Sequence, residues 1–308
     1  MEFGSIPTTQ IKKTDFTLPK TPVFAEAVLK KSKPVNKPLI YVGCSKWGRK
    51  EWVGKIYPLK TKEADFLKEY VKHFNSLELN ATHYKFPAPE VIKSWEEIIE
   101  GQDFKFCPKI YKGISHFSDL ATPKVHRQTS DFINAVSGFG ENLGPVFLQL
   151  SDRFGPSRKE KLFAYLASLP KYLQFFLELR SADWFADKKI NAELLNEMKK
   201  HNIGMVITDT SGRRDLVHMQ LTVPKTFIRF VGNNLHPTDY TRIDEWISRL
   251  ETWMKKGLQE FYFFMHHTEE RNSPELCDYA IDQMNKRWKM SMKRPAFIKM
   301  EKPKRKSG

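Results

Sequence analysis

Eight short runs of aliphatic, β-branched and aromatic residues, separated by segments of helical period, constrain this 308-residue chain more than any other feature. The runs are Leu39–Gly43 (LIYVG), Leu77–Asn80, Phe104–Lys109, Val146–Leu150, Phe175–Arg180, Met205–Asp209, Phe227–Gly232 and Phe261–His267 (FYFFMHH). Each has the length and composition of a strand. Between them, Lys62–Phe74, Pro89–Ile99, Arg158–Leu169, Ala192–Lys200, Ile243–Lys255 and Asn272–Trp288 space their apolar residues as helices do. Thr210–Lys225 reads as loop plus a turn, which makes the βα unit between the sixth and seventh strands degenerate. Eight strands alternating with helices predict an α/β fold, a TIM-like (β/α)8 barrel. A doubly wound open sheet is the rival, but the turn GCSKWGR after the first run is not the glycine-rich GxGxxG of that fold.

With 40% hydrophobic and 13% aromatic residues, the chain has material for a sizeable core, which excludes disorder over most of its length. Mean hydropathy is −0.52, and no window approaches eighteen uncharged apolar residues, so no membrane helix and no membrane partner are expected. Cys44, Cys107 and Cys277 are too far apart for a CxxC metal knuckle and too few for a disulfide framework. The first residues lack the apolar run of a signal peptide, so the expected location is cytoplasmic. Met1–Ser5 (MEFGS) reads as a cloning scar.

The formal net charge of +15 invites a nucleic-acid reading, but its distribution weakens it. Residues 1–38 carry +4 and residues 286–308 carry +9, leaving +2 for the body. Three regions follow: a basic, partly disordered N-terminal extension (1–38), the barrel (39–285) and a basic C-terminal tail (286–308). The tails read either as solvated ends or as a sequence-blind electrostatic tether for nucleic acid or another anionic surface.

Alternate strand residues face the same way, and those pointing inward at the C-terminal strand ends build a barrel's site. Parity groups Glu78 with Asn80, Cys107 with Lys109, Phe147 with Gln149, and Phe176 with Glu178 and Arg180. It leads from Ile207 to Asp209, from Phe227 to Arg229 and from Phe264 to His266, while Ser45 and Trp47 complete the ring. Three acids (Glu78, Glu178, Asp209) thus meet three permanent cations (Lys109, Arg180, Arg229). That much positive charge disfavours a divalent-metal site, and neither a metal nor another cofactor is predicted. Arg180 and Arg229 suit a carboxylate or phosphate. Glu78 or Glu178 is a candidate acid/base group, and His266 or His267 a candidate proton shuttle. Cys44 is a poor nucleophile candidate because it faces away from Gly43 and Ser45. Trp47 and Tyr84 lie where a base or sugar could stack, and Asn233-Asn234 could make a phosphate-binding turn.

The stretch VGCSKWGRKEWVGKIYP resembles the opening of the YecE-like family, known as domain of unknown function 72. LELNATHYKFPAPEVIKSW, DFKFCPKIYKGISH, LGPVFLQLSDRFGP, LELRSADWF, IRFVGNN and FFMHHTEERNSPEL continue the resemblance in order across residues 39–285. It implies a TIM-like barrel and carries over Ser45, Trp47, Glu78, Asn80, Tyr84, Lys109, Gln149, Glu178, Arg180, Asp209 and Arg229. Lys46 stands where many relatives have Gly, and His266-His267 where many have paired Asn.

The principal expectation is an enzyme, a phosphodiesterase-like hydrolase or an isomerase, working on an anionic substrate. Glu78, Glu178, Asp209 and His266 are its catalytic candidates. Ser45, Trp47, Asn80, Tyr84, Lys109, Gln149, Arg180 and Arg229 would bind the phosphate or carboxylate. The alternative is a nucleic-acid-binding protein or a metal-assisted endonuclease-like phosphodiesterase using the tails. A glycosidase with Glu78 and Glu178 as its carboxylate pair is a third. The sequence leaves the oligomeric state open.

Overall fold

The computed structural model describes residues 4–116, 119–267 and 269–298. Eight strands form: β1 (Leu39–Cys44), β2 (Ser76–Leu79), β3 (Lys105–Pro108), β4 (Val146–Gln149), β5 (Phe175–Glu178), β6 (Ile203–Asp209), β7 (Lys225–Gly232) and β8 (Glu260–His267). All pairings are parallel, in the order β3-β2-β1-β8-β7-β6-β5-β4. The two ends of that order meet. Ile110 N donates to Phe147 O (2.9 Å), Gly144 N donates to Phe106 O (2.7 Å), and bridges pair Phe106 with Leu143 and Lys109 with Phe147. The result is a nearly closed barrel, as the strand count implied.

A barrel strand is buried on both faces, which is why the runs are apolar almost throughout. One set of side chains, including Tyr41, Cys107, Phe147, Phe176, Val206, Phe227, Tyr262 and Phe264, fills the interior. The other, including Ile40, Val42, Leu77, Leu148, Leu177, Met205, Ile207, Ile228 and Phe263, packs beneath the helices.

The helix at Pro89–Ile99 runs as its spacing predicts, and the last runs Ser273–Trp288. The segment expected as one helix over 62–74 is a 3-10 turn, Glu63–Asp65, followed by the short helix Phe66–Tyr70. The helix Pro123–Ser137 had no counterpart in the sequence reading. Thr122 caps it by accepting from Val125 N, and Pro123 opens it. Between β6 and β7 only the 3-10 turn Arg214–Leu216 forms, so that unit is degenerate as expected.

The terminal segments differ from the solvated ends their charge suggested. Helix Val23–Lys31 buries Ala25, Val28 and Leu29. Nearby, Leu18 N donates to Glu245 Oε1 (2.9 Å), and Thr21 Oγ1 accepts from Trp253 Nε1 (2.9 Å); Glu245 and Trp253 both lie on the helix Pro237–Lys256. At the other end Arg294 pairs with Asp278 and Asp282, and Ile298 N donates to Lys55 O (2.8 Å). The described part of each end is thus tied to the barrel by buried side chains, hydrogen bonds or ion pairs, which net charge does not report. Residues 1–3 of the scar and 299–308 of the basic tail lie outside the described residues.

Gly204 fixes how β6 faces the interior. A Cβ there would stand 2.2 Å from the ring of Phe176, which points inward from β5. Gly204, Val206 and Thr208 therefore face in, and Met205, Ile207 and Asp209 face out. Gly204→Ala is expected to cost about 1–3 kcal/mol through overpacking, read as a lower urea midpoint, with Phe176→Leu recovering part of the loss. An alanine variant as stable as the parent would contradict this assignment of faces.

Candidate active site

At the C-terminal strand ends the inner face turns polar, and one guanidinium organises it. Arg229, from β7, reaches across the interior. Its Nε and Nη2 donate to Glu78 Oε2 and Oε1 of β2, both at 2.9 Å, in a bidentate fork. Its Nη1 donates to Glu178 Oε2 of β5 at 2.7 Å. Glu78, Glu178 and Arg229 are 0%, 1% and 7% exposed, so none of these charges is supported by bulk water.

Further donors complete the carboxylates. Glu78 Oε1 accepts from Asn80 Nδ2 (2.9 Å), which also donates to Ser45 O (3.2 Å). Glu78 Oε2 lies 2.8 Å from His266 Nε2. An ionised carboxylate only accepts, so this imidazole nitrogen carries the proton. Glu178 Oε1 accepts from Arg180 Nε (2.8 Å). Burial pushes both carboxyls up, but the cations reverse this. Arg229 and then His266 hold Glu78 well below the ordinary range, and Arg229, Arg180 and Lys109 bring Glu178 to about 2. Both are carboxylates at neutral pH.

Lys109 has a different environment. Its Nζ donates to Gln149 Oε1 (2.8 Å), which also accepts from Arg180 Nη2 (2.9 Å) and, at 3.5 Å, faces Arg229 Nη1. Among the described residues the ammonium has no ion-pair partner, although Lys109 is 8% exposed. Burial, followed by Arg229, lowers its pKa to about 8 against the pull of Glu178 and Glu78.

The structure thus brings Ser45, Glu78, Asn80, Lys109, Gln149, Glu178, Arg180, Arg229 and His266 together at one mouth. Ser45 Oγ donates to Glu270 Oε1 (2.8 Å), whose Oε2 accepts from Ser273 Oγ (2.8 Å), so this serine ties β1 to the last helix. His266 faces the interior. His267 points the other way, 3.4 Å from Asn234 Oδ1, and burial holds it neutral with a pKa of about 4.

Two expectations are corrected, those for Asp209 and for the Asn233-Asn234 turn. Asp209 is not in the mouth. Its Oδ1 pairs with Arg242 Nη2 (2.8 Å) and with Arg214, and its Oδ2 accepts from Trp246 Nε1 (2.7 Å), all on the outer face. Parity was misjudged because β6 is apolar on both faces and carries no alternation; Gly204 opposite Phe176 was the available signal. Trp47 packs edge-on against Trp95 (5.4 Å between centroids), and its carbonyl accepts from Tyr57 OH (2.9 Å). Tyr84 is 65% exposed on the rim, with Lys112 Nζ 5.2 Å from its ring, rather than within the ring of strand-end groups. In the Asn233-Asn234 turn, the amide of Asn233 is taken by both oxygens of Asp239 (2.8 Å each), so an internal carboxylate sits where a phosphate would.

The sequence reading also missed His83, His116 and Thr208. The two imidazoles lie 5.1 Å apart on the loops after β2 and β3. Burial, then Lys109, His116 and Lys112, holds His83 at about 4 and neutral, with Ile110 O, which faces its Nδ1 at 2.8 Å, pulling the other way. Thr208 is 2% exposed, and its Oγ1 has no hydrogen-bond partner among the described residues. No group of three or more His, Cys, Asp or Glu placed to hold a metal ion exists among the described residues. Cys44 faces outward, its Sγ 3.6 Å from Cys277 Sγ.

Eight parallel strands around an aromatic interior, closed by a charged network at their C-terminal ends, make this a TIM-type barrel protein. The chain belongs to the family described as Protein of unknown function DUF72, whose model matches residues 41–299. It is 27% identical over 266 residues to the UPF0759 protein YecE of Escherichia coli K12, covering 80% of this chain and 93% of that one. Among solved structures it is similar to a DUF72 family protein from Enterococcus faecalis V583. There the TM-score is 0.63 with 17% identity, over 86% of this chain and 99% of that one. A DUF72 family protein from Thermotoga maritima MSB8 gives a TM-score of 0.59 with 20% identity, over 82% and 100%.

Lys109 yields a stability prediction. Its folded pKa, about 8, lies below its ordinary 10.5, so between those values the unfolded chain binds more protons. The charge penalty is full below pH 8 and is relieved as pH rises toward 10.5. Lys109→Met is expected to stabilise the protein at pH 7 by up to ~3 kcal/mol, with the gain shrinking by pH 10. Urea melts at the two pH values check it; a variant less stable than the parent at pH 7 would refute it.

Proposed function

We propose that this protein is an enzyme that binds a small phosphate- or carboxylate-bearing substrate at the barrel mouth and moves a proton on it. The observation that carries this reading is the charge balance of the inner face. Lys109, Arg180 and Arg229 face two carboxylates, and among the described residues the buried ammonium of Lys109 has an amide oxygen as its only hydrogen-bond partner. A buried cation without an anion is costly, and a substrate anion removes that cost.

The geometry favours a particular division of labour. Lys109 and Arg180, joined through Gln149, form the anion-binding side. Glu78 and Glu178 are held ionised too firmly to be effective general bases near neutral pH. Glu78 serves instead to orient His266, fixing its protonated Nε2 so that Nδ1 is the basic nitrogen. A proton relay through His266 on a bound anion is chemistry shared by isomerases and hydrolases. The glycosidase reading loses support because it needs one of the two carboxyls protonated, and Arg229 opposes that in both. A metal-assisted nuclease finds no donor cluster among the described residues.

Inorganic phosphate, sulfate or citrate, compared with sodium chloride at equal ionic strength, is expected to raise the melting temperature. At a hundredfold excess over Kd the stabilisation is about 2.7 kcal/mol. Arg180→Gln should remove the response. Asp209→Asn, outside the mouth, should lower the melting temperature yet keep it. A response equal in parent and Arg180→Gln proteins would overturn the proposal.

A further inference from the structure

We propose that Lys109 is a nucleophile that forms an imine with a substrate carrying an aldehyde or ketone next to its carboxylate or phosphate. This rests on the reading of the mouth as an anion site and names the chemistry that site performs. The geometry has three parts. Nζ is held at 2.8 Å by a neutral acceptor, Gln149 Oε1, instead of a carboxylate. Two guanidiniums, Arg180 Nη2 and Arg229 Nη1, approach the same oxygen at 2.9 and 3.5 Å. The ring of Phe147 lies beneath, 6.0 Å from Nζ. An amine on an apolar floor beside other cations is the environment that frees a lysine lone pair near neutral pH. The amine can keep donating to Gln149 while its lone pair is directed at a carbonyl.

The groups acting on Lys109 come from every side of the mouth. Arg229 of β7 and Arg180 after β5 favour the neutral amine, whereas Glu178 of β5 and Glu78 of β2 favour the ammonium. His83 and His116, from the two adjacent loops, are both held down by burial and by Lys109, and so add no fixed charge. Burial and the guanidiniums prevail, and the balance falls at about 8.

The step balances without an oxidant or reductant. Nζ bonds to the carbonyl carbon as the carbonyl π pair moves to oxygen, and a proton passes from nitrogen to that oxygen. A second proton, from solvent, lets the oxygen leave as water, and the C=N bond forms. The iminium nitrogen keeps the positive charge and one N–H for Gln149.

Glyoxylate, an aldehyde with a carboxylate, is the probe, with sodium cyanoborohydride to reduce any imine and peptide mapping to place the adduct. At pH 7.5 Lys109 is expected to be labelled more than about tenfold faster than exposed lysines, because far more of it is neutral. Its rate should level off above pH 8 while theirs climb, and inorganic phosphate should slow it. Lys109→Arg, which keeps the charge, should retain the melting transition and the exposed-lysine background but lose the fast adduct. Labelling of Lys109 no faster than the background overturns the imine. If phosphate still raises the melting temperature in that case, the anion site stands and only the imine fails; if it does not, both fail.

Discussion

The mouth of this barrel depends on a single guanidinium held between two carboxylates. Glu78, Glu178 and Arg229 come from β2, β5 and β7, no two of which are neighbours in the sheet, so their contacts cross the interior. All three are buried, and removing one member of such a group leaves an uncompensated charge, typically at about 3–5 kcal/mol. The fork on Glu78 leaves Arg229 few alternative geometries, and through it the carboxylates acquire fixed positions and fixed charge. Asn80, His266, Arg180 and Gln149 are then placed by hydrogen bonds to atoms that are already immobile.

That rigidity separates the mouth into two sides. On the β8–β2 side, Glu78 is saturated by donors and its remaining influence passes through His266. Over β3, β4 and the end of β5, the cations Lys109 and Arg180 share one amide oxygen, and positive charge exceeds negative. The carboxylates sit in the middle, neutralised by Arg229. A ligand anion is attracted to one side and presented to the imidazole of the other, with low-dielectric walls of Phe147 and Phe264 below to strengthen both effects.

The barrel was legible in the sequence because eight apolar runs and their spacing leave few alternatives, and the inner ring followed wherever an apolar inward face gave way to a polar or charged residue toward the strand end. Glu78, Lys109, Gln149, Glu178, Arg229 and His266 all obey that pattern. Asp209 broke it: β6 is apolar on both faces, so the last residue carried no information about which face it joined. Its partners lie in later segments, Arg214 on the turn after β6 and Arg242 and Trp246 on the helix Pro237–Lys256, and strand parity does not reveal them. The terminal segments were misjudged for a related reason. Lysines counted along the chain do not reveal that Leu18, Ala25 and Leu29 are buried against the barrel. The rim histidines were invisible because loop geometry, not strand parity, places them.

Lys109 is the member of the ring that physical chemistry alone would not put there. A methionine of similar length would fill the same space over Phe147 without a buried charge, and Gln149 would still accept from Arg180. Each carboxylate around Arg229 already has a guanidinium, so the ammonium adds only a lesser pull on Glu178. Buried charges that cost stability and have no opposite charge in direct contact concentrate where a protein handles a ligand. Thr208 strengthens the case, because its buried hydroxyl on the inner face of β6 has no hydrogen-bond partner among the described residues. Among the described residues, an ammonium without an ion-pair partner and a hydroxyl without a hydrogen-bond partner are what the inner face leaves for another molecule to meet.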